Sequence, residues 1–185
     1  MQGRLIVFTG PSGVGKGTVE KLLEFNNFVF SVSLTTREKR DGEVDGINYH
    51  YVSKDFFKEQ IESNKMLEHA EFIGNYYGTS LDFVNKELSK GNNVFLEIEC
   101  QGALQVLEKV EDVVSIFLLP PSLEELEQRL RGRNTEDEET IQKRLNKAKE
   151  ELNYKEHFKY NVTNIDAKES AKEIDNILNK ELNVW

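Results

Sequence analysis

The sequence predicts an α/β fold in which helices flank a parallel sheet, and three observations support this. Apolar runs at residues 5–8 and, interrupted by Ser115 alone, at Val113–Leu119 are typical of buried parallel strands. Such runs alternate along the chain with segments whose apolar residues recur at helical spacing. A glycine-rich turn at residues 10–16 joins the first strand to the first helix. Strands that alternate with helices favour a parallel sheet with right-handed crossovers.

The other elements follow from the same patterns in chain order. Strands are predicted at residues 28–32, 49–52, 66–73, 94–99 and 158–162. Helices are predicted from Gly15 up to residues 26–27, around residues 103–110, and after the capping residues Ser53, Ser80, Ser122, Thr135 and Asp166. Residues 35–46 are predicted as a loop and residues 74–78 as a turn. Two segments interrupt the alternation: about 33–80 is rich in predicted strands, and about 124–150 is dense in charge.

The composition excludes several classes of protein. Hydrophobic residues make up 38% and charged residues 31% of the 185 residues, a balance typical of a globular chain. No apolar run approaches the roughly 20 residues that cross a bilayer, so no membrane span is expected. The single cysteine, Cys100, excludes an internal disulfide. We therefore expect a reduced, cytoplasmic protein.

The net charge of −9 argues against a nucleic-acid partner, because sequence-independent nucleic-acid binders usually present a net basic surface. An acidic protein can bind a small polyanion only where a few cations are gathered locally. The positions of those cations therefore indicate the function.

The glycine-rich turn has the pattern of a phosphate-binding loop. Its residues are Gly10, Pro11, Ser12, Gly13, Val14, Gly15 and Lys16. Glycines let backbone N–H groups turn towards phosphate oxygens, and the lysine can reach the β and γ phosphates. Gly17 stands where a Ser or Thr usually holds Mg²⁺, and Thr18 follows. This Gly17–Thr18 pair resembles nucleoside monophosphate kinases, and Mg–ATP remains the expected ligand because phosphates and water can complete the metal's coordination.

A second set of motifs carries a closer resemblance. Residues 33–43 (SLTTREKRDGE) place two arginines three positions apart, and the ordinary interpretation of such a stretch is a solvated charge run. Together with Tyr49, Glu68 and residues 74–79 (GNYYGT), however, the segment resembles the guanylate kinase family. The resemblance extends from Gly10 to about Asn164.

The resemblance implies three regions. They are a P-loop core at 1–32, 81–123 and 151–185, a small β-rich GMP-binding insertion at 33–80 and a mobile helical lid at 124–150. It further implies that GMP phosphate is bound by Arg37, Arg40, Tyr49 and Tyr77, and that guanine is read by Ser33, Glu68 and Thr79. A carboxylate suits guanine because it can accept from both N1–H and the 2-amino group, whereas adenine presents an acceptor at N1. Guanidinium groups likewise suit a phosphate.

Acids and arginines further along the chain fit the same resemblance. Glu97 and Glu99 end a predicted core strand, where ligands bind in open α/β sheets, although a solvated pair of acids is the alternative. By resemblance, Glu97 helps hold GMP and Glu99 contacts the metal through water. Two further segments resemble the family's lid: RLRGR, which contains Arg129 and Arg133, and KRL, which contains Arg144. The resemblance implies that these arginines close on the ATP phosphates. By pattern alone, an ordinary charged helix surface is the alternative. Asn164 resembles a residue that contacts adenine.

The implied activity is transfer of a phosphoryl group from Mg–ATP to GMP, giving ADP and GDP. The expected catalytic groups are Lys16, Arg37, Arg129, Arg133 and Arg144. Two alternatives stay open: a kinase for another monophosphate such as AMP or UMP, and a non-catalytic guanylate-kinase-like interaction module. The intact loop through Lys16 and the lid arginines argue against the second. We expect a monomer or a homodimer.

Overall fold

The computed structural model describes residues 3–72, 74–132 and 137–182, and within them the predicted α/β fold is confirmed. The strands are β1 (Leu5–Thr9), β2 (Val29–Phe30), β3 (Leu34–Thr35), β4 (His50–Tyr51), β5 (Met66–Phe72), β6 (Asn75–Ser80), β7 (Val94–Glu97), β8 (Val113–Leu119) and β9 (Tyr160–Thr163). The helices are α1 (Lys16–Glu20), α2 (Lys54–Glu62), α3 (Leu81–Ser89), α4 (Cys100–Lys109), α5 (Leu123–Arg131), α6 (Glu138–Glu151) and α7 (Ala167–Glu181), with a 3₁₀ turn at Leu152–His157.

Two sheets organise these elements. The larger has the strand order β2-β7-β1-β8-β9, and its outer pairs, β2 with β7 and β8 with β9, are parallel. The smaller has the order β4-β3-β6-β5 and lies within the segment predicted to be rich in strands. All five residues of β1 are buried, as its continuous apolar sequence predicts.

Four of the predicted helix caps are confirmed by their hydrogen bonds. The side chains of Ser53, Ser80 and Ser122 accept from backbone amides in the first turns of α2, α3 and α5. Asp166 caps α7 in the same way. The helix predicted after Thr135 is α6, which is capped by Asp137; Thr135 lies outside the described residues.

The first helix is shorter than its apolar stripe predicts. It ends at Glu20, whereas the pattern continued to residue 26. The amides of Glu24 and Phe25 instead donate to the Asp175 carboxylate of α7, each at 3.0 Å. This side chain satisfies amides that a longer helix would have used, so a distant contact overrides the local pattern.

The turn predicted at 74–78 is wrong for most of its length, because Asn75–Ser80 forms strand β6. It pairs antiparallel with β5, with Ala70 opposite Tyr77 and Phe72 opposite Asn75. Its aromatic residues suit a strand. Strand β3 has two residues, and the second of them, Thr35, falls in the predicted loop. The strand is held by pairing with β4 and β6.

The chain divides into two compact units. The first is formed by Met1–Ile6 and Asn27–Val113, and the second by Val7–Asn26 and Val114–Trp185. The predicted boundaries of core, insertion and lid stay a prediction. Over residues 3–72, 74–132 and 137–182, none of the helices combines the length and the apolar character that a bilayer span requires.

Candidate active site

The phosphate loop lies in the second unit, between the end of β1 and the start of α1. Gly13 and Gly15 have φ angles of +86° and +103°, in the left-handed region that favours glycine. A Cβ added to Gly15 would lie 2.7 Å from Nδ2 of Asn164, so this position also has no room for a side chain. The loop conformation therefore depends on the glycines that the sequence motif supplied.

Lys16 folds back over this loop. Its Nζ donates to the carbonyl of Gly10 at 2.7 Å and lies 3.5 Å from the carbonyl of Pro11. These two contacts hold the ammonium group against the loop. Gly17 and Thr18 are exposed, and a Cβ added to Gly17 would meet nothing within 4 Å.

Two of the predicted lid arginines contact the phosphate loop. Arg129 on α5 donates through Nη1 to the carbonyl of Val14 at 3.2 Å and through Nη2 to the carbonyl of Asn164 at 3.0 Å. Arg144 on α6 donates to Oγ of Ser12 at 3.1 Å. The second unit therefore gathers three cationic side chains at one loop, as a polyphosphate site requires. Arg133 lies outside the described residues.

Asn164 is built into the support of the same loop. Its side chain is buried; Nδ2 donates to the carbonyl of Val14 at 2.8 Å, and Oδ1 accepts from the Ser170 hydroxyl at 3.1 Å. The Asn164 side chain therefore stabilises the loop through the carbonyl of Val14. Its predicted contact with adenine stays a prediction.

Glu68 of β5 is a buried carboxyl in the first unit. It is 2% exposed, and its Oε1 accepts a hydrogen bond of 2.6 Å from the hydroxyl of Thr79 on β6, which is 0% exposed. Burial raises the pKa of this carboxyl to about 7, while the Thr79 hydrogen bond and the Lys109 ammonium oppose the rise. A buried carboxyl with a pKa of about 7 is suited to a ligand that brings hydrogen-bond donors.

Arg37 is held in place by an acid that the sequence did not identify. Its Nη1 and Nη2 donate to the two oxygens of Glu43 at 3.0 and 2.8 Å, and the Tyr51 hydroxyl donates to Glu43 at 2.8 Å. The Arg37 pair and its hydrogen bonds lower the pKa of Glu43 to about 2 and raise the pKa of Arg37 above its ordinary value. The guanidinium group also lies 5.5 Å from the ring centre of Tyr49. These contacts fix the orientation of the Arg37 guanidinium group.

Two predicted phosphate-binding residues stand beside this group. The rings of Tyr49 and Tyr77 are 5.8 Å apart, edge to face. Burial raises the pKa of the Tyr49 hydroxyl, and the carboxylates of Glu97 and Glu99 raise it further. The structure thus brings Arg37, Tyr49 and Tyr77 together. The two predicted acids, Glu97 and Glu99, lie close enough to act electrostatically on Tyr49.

The other predicted residues lie at the edges of the site. Arg40 is exposed, and its backbone amide donates to Glu43 at 2.8 Å. The backbone carbonyl of Ser33 accepts from the amide of His50 at 2.9 Å. The predicted contact of Ser33 with the base stays a prediction. Glu97 is exposed at the end of β7, and Glu99 is half-buried at the N-terminal cap of α4.

The donor set fits a metal that arrives with the nucleotide. No group of three or more His, Cys, Asp or Glu side chains is arranged to hold a metal in the part of the chain that the structure describes. Mg²⁺ commonly keeps several waters and binds through phosphates and one or two carboxylates. The half-buried Glu99 carboxylate is an oxygen donor of the kind that such an ion uses.

Sequence reasoning missed Glu43 and Tyr51. Glu43 belongs to the same charged segment as Arg37, and the spacing of six residues across a glycine gave a signal that the two could pair. Tyr51 gave none, because its contact with Glu43 depends on how β4 brings the chain back to the loop.

Comparison with known proteins agrees with this geometry. The family model described as guanylate kinase matches residues 2–181. The guanylate kinase of Lactococcus lactis is 54% identical over 182 residues, covering 97% of this chain and 89% of the relative. That of Streptococcus pneumoniae is 50% identical over 183 residues, covering 97% and 88%.

A solved structure is also similar. The crystal structure of guanylate kinase from Anaplasma phagocytophilum has a TM-score of 0.80 and 38% sequence identity, and the match covers 97% of this chain and 86% of that one. A family model that spans nearly the whole chain, relatives at 50% identity or more and a shared fold agree with the motifs and with the buried acid. The chain belongs to the guanylate kinase family.

Proposed function

We propose that this chain transfers the γ-phosphoryl group of ATP to GMP, giving ADP and GDP. One observation carries the choice of acceptor: the Glu68 carboxyl is 2% exposed and has Thr79 as its hydrogen-bond donor. A buried carboxylate needs a partner cation or hydrogen-bond donors, and a ligand can supply the donors. Guanine supplies two adjacent donors, N1–H and the 2-amino group, that a carboxylate can accept together.

The same carboxyl selects against adenine. Adenine has an acceptor at N1, so its lone pair would face the lone pairs of Glu68. Sites that read hydrogen bonds can reject an unsuitable substrate by roughly 10⁴-fold or more, because the buried polar group is left unpaired. Ser33 and Thr79 complete the proposed base site.

The phosphates would be bound in two groups. In the first unit, Arg37, Arg40, Tyr49 and Tyr77 hold the GMP phosphate, and Glu97 helps to hold the nucleotide as a whole. In the second, Lys16, Arg129, Arg133 and Arg144 neutralise the ATP phosphates on the loop of residues 10–18. The supporting contacts are those of Lys16, Arg129 and Arg144 with loop atoms at 2.7 to 3.2 Å.

The chemical step needs no covalent intermediate. A GMP phosphate oxygen attacks the γ phosphorus, the new P–O bond forms, and the bond to the β-phosphate oxygen breaks so that ADP leaves. The attacking GMP phosphate oxygen is anionic near neutral pH, so no general base is required. The cations offset charge on the transferring group, and arginines in such positions are worth roughly 10³–10⁵ in rate.

Mg²⁺ belongs to the proposal as the ion that accompanies ATP. When bound, it would withdraw negative charge from the phosphate oxygens. Glu99 is the residue proposed to hold it, through water. A cytoplasmic location, a role in purine nucleotide metabolism and a monomeric or homodimeric state complete the proposal.

The choice of acceptor is tested by assaying ADP formation with GMP, AMP, UMP and CMP. We expect GMP to be preferred, and Glu68→Gln to reduce the preference for GMP over AMP by at least roughly 100-fold, because an amide can donate to adenine N1. The KM for ATP should change little. A clear preference of the unaltered protein for AMP or UMP would support the other-monophosphate alternative, and no transfer to any acceptor would support the interaction module.

Lys16→Ala should reduce phosphoryl transfer by roughly 10³-fold or more, because a charge on the γ phosphate loses its preorganised cation. GMP affinity, measured by calorimetry, should remain nearly unchanged, since the proposed GMP residues belong to the other unit. Lys21→Ala is the control, because Lys21 is an exposed lysine just beyond α1. Transfer that remained within tenfold of normal would contradict the role of Lys16.

The buried acid should lower stability at alkaline pH. Because the folded pKa of Glu68 is about 7, above the ordinary 4.5, the folded state binds the proton more tightly and loses stability as pH rises through 7. Between pH 5 and pH 8, the free energy of unfolding should fall by about 2 kcal/mol more in the unaltered protein than in Glu68→Gln. Urea denaturation at both pH values measures this.

The exposed residue Glu108 provides the control, and Glu108→Gln should follow the pH profile of the unaltered protein. Parallel profiles for the unaltered protein and Glu68→Gln would show that the Glu68 carboxyl is not destabilised by burial.

A further inference from the structure

The backbone on both sides of Glu68 is held by side chains of α4. Lys109 donates through Nζ to the carbonyl of Leu67 at 2.6 Å. Gln105 bonds His69 twice: its Oε1 accepts from the amide at 3.2 Å, and its Nε2 donates to the carbonyl at 2.6 Å. The residues before and after Glu68 are therefore fixed to one helix, which limits how far the carboxyl can shift along β5.

Gly102 lies on the same face of α4, directly against the Glu68 carboxyl. Residues 102, 105 and 109 are spaced by three and four, which places them on one side of a helix. A Cβ added to Gly102 would lie 2.0 Å from Oε2 and 2.9 Å from Cδ of Glu68. The space that a side chain would occupy is filled by the carboxyl group.

A glycine inside a helix is otherwise unfavourable. It costs about 1 kcal/mol relative to alanine, because the unfolded chain has more freedom to lose. Gly102 is the third residue of α4, is buried and has no positive φ angle that would require glycine. The close approach of Glu68 is the feature of the structure that requires glycine at this position.

We propose that Gly102, Gln105 and Lys109 form a support face on α4 that sets the position of the Glu68 carboxyl, and that Gly102 is a positioning residue for guanine selectivity. The inference rests on the proposed function, in which Glu68 accepts from two donors of the base. Both bonds need their geometry held within about 0.5 Å, so the surface behind the carboxyl matters as much as the carboxyl itself.

Gly102→Ala is the direct test. The added methyl group must displace the carboxyl by more than an ångström to reach ordinary contact, and misplacement of that size costs roughly 100-fold. We expect kcat/KM for GMP to fall by roughly 10- to 100-fold through KM, while the KM for ATP is unchanged. The preference for GMP over IMP, which lacks the 2-amino group, should also fall, and a general loss of stability would not change that ratio.

A double-mutant cycle with Glu68→Asp identifies the contact. Aspartate is one methylene shorter and retreats from the added methyl group. We therefore expect Gly102→Ala to cost less in GMP kcat/KM when Glu68→Asp is already present than when it is introduced alone. Glu108→Ala, an exposed change on the same helix, should leave the KM for GMP and the GMP/IMP ratio unchanged.

Gln105→Ala keeps the proposal testable should Gly102→Ala fail to fold. It removes both bonds to His69 without adding volume, and we expect a roughly 3- to 10-fold increase in the KM for GMP with the far-ultraviolet spectrum unchanged. A normal GMP KM and GMP/IMP ratio in a folded Gly102→Ala protein, or in Gln105→Ala where the first does not fold, overturns the support face. Failure of the unaltered protein to phosphorylate GMP would instead overturn the proposed function.

Discussion

The burial of one carboxyl group is the constraint on which the first unit depends. Glu68 is removed from solvent, receives a hydrogen bond from Thr79 and lies against Gly102. Removing an acid from water is unfavourable, and the pKa of about 7 expresses that cost. Such an arrangement is useful where a ligand supplies the missing donors, so recognition of the base and a loss of stability have the same physical origin.

A few cations of this acidic chain lie where anions would bind. In the second unit, Lys16, Arg129 and Arg144 contact a loop whose shape requires glycine. In the first, Arg37 is paired with Glu43, which fixes its direction. A net charge of −9 is therefore compatible with polyphosphate binding, because local arrangement rather than total charge determines the site.

Features that depend on neighbours along the chain could be predicted from the sequence. The buried strands, the serine caps of α2, α3 and α5 and the phosphate loop belong to this group, because each depends on a pattern within about one turn. The end of α1 could not be predicted, since the amides of Glu24 and Phe25, which a longer helix would have used, bond to Asp175, 150 residues beyond Phe25. The support of Glu68 by Gly102 was equally hidden, because a helical glycine carries no signal until its neighbour in space is known.

The central claim is that guanine donors complete the hydrogen bonding of the Glu68 carboxyl. Carbon-13 NMR of a protein labelled at its glutamate carboxyls measures this directly, with the Glu68 signal assigned by its absence in Glu68→Gln. The account predicts a titration midpoint near 7 in the unliganded protein. With saturating GMP the midpoint should fall by at least about one unit, because donors stabilise the charged form. A midpoint that stayed the same or rose on GMP binding would contradict the account.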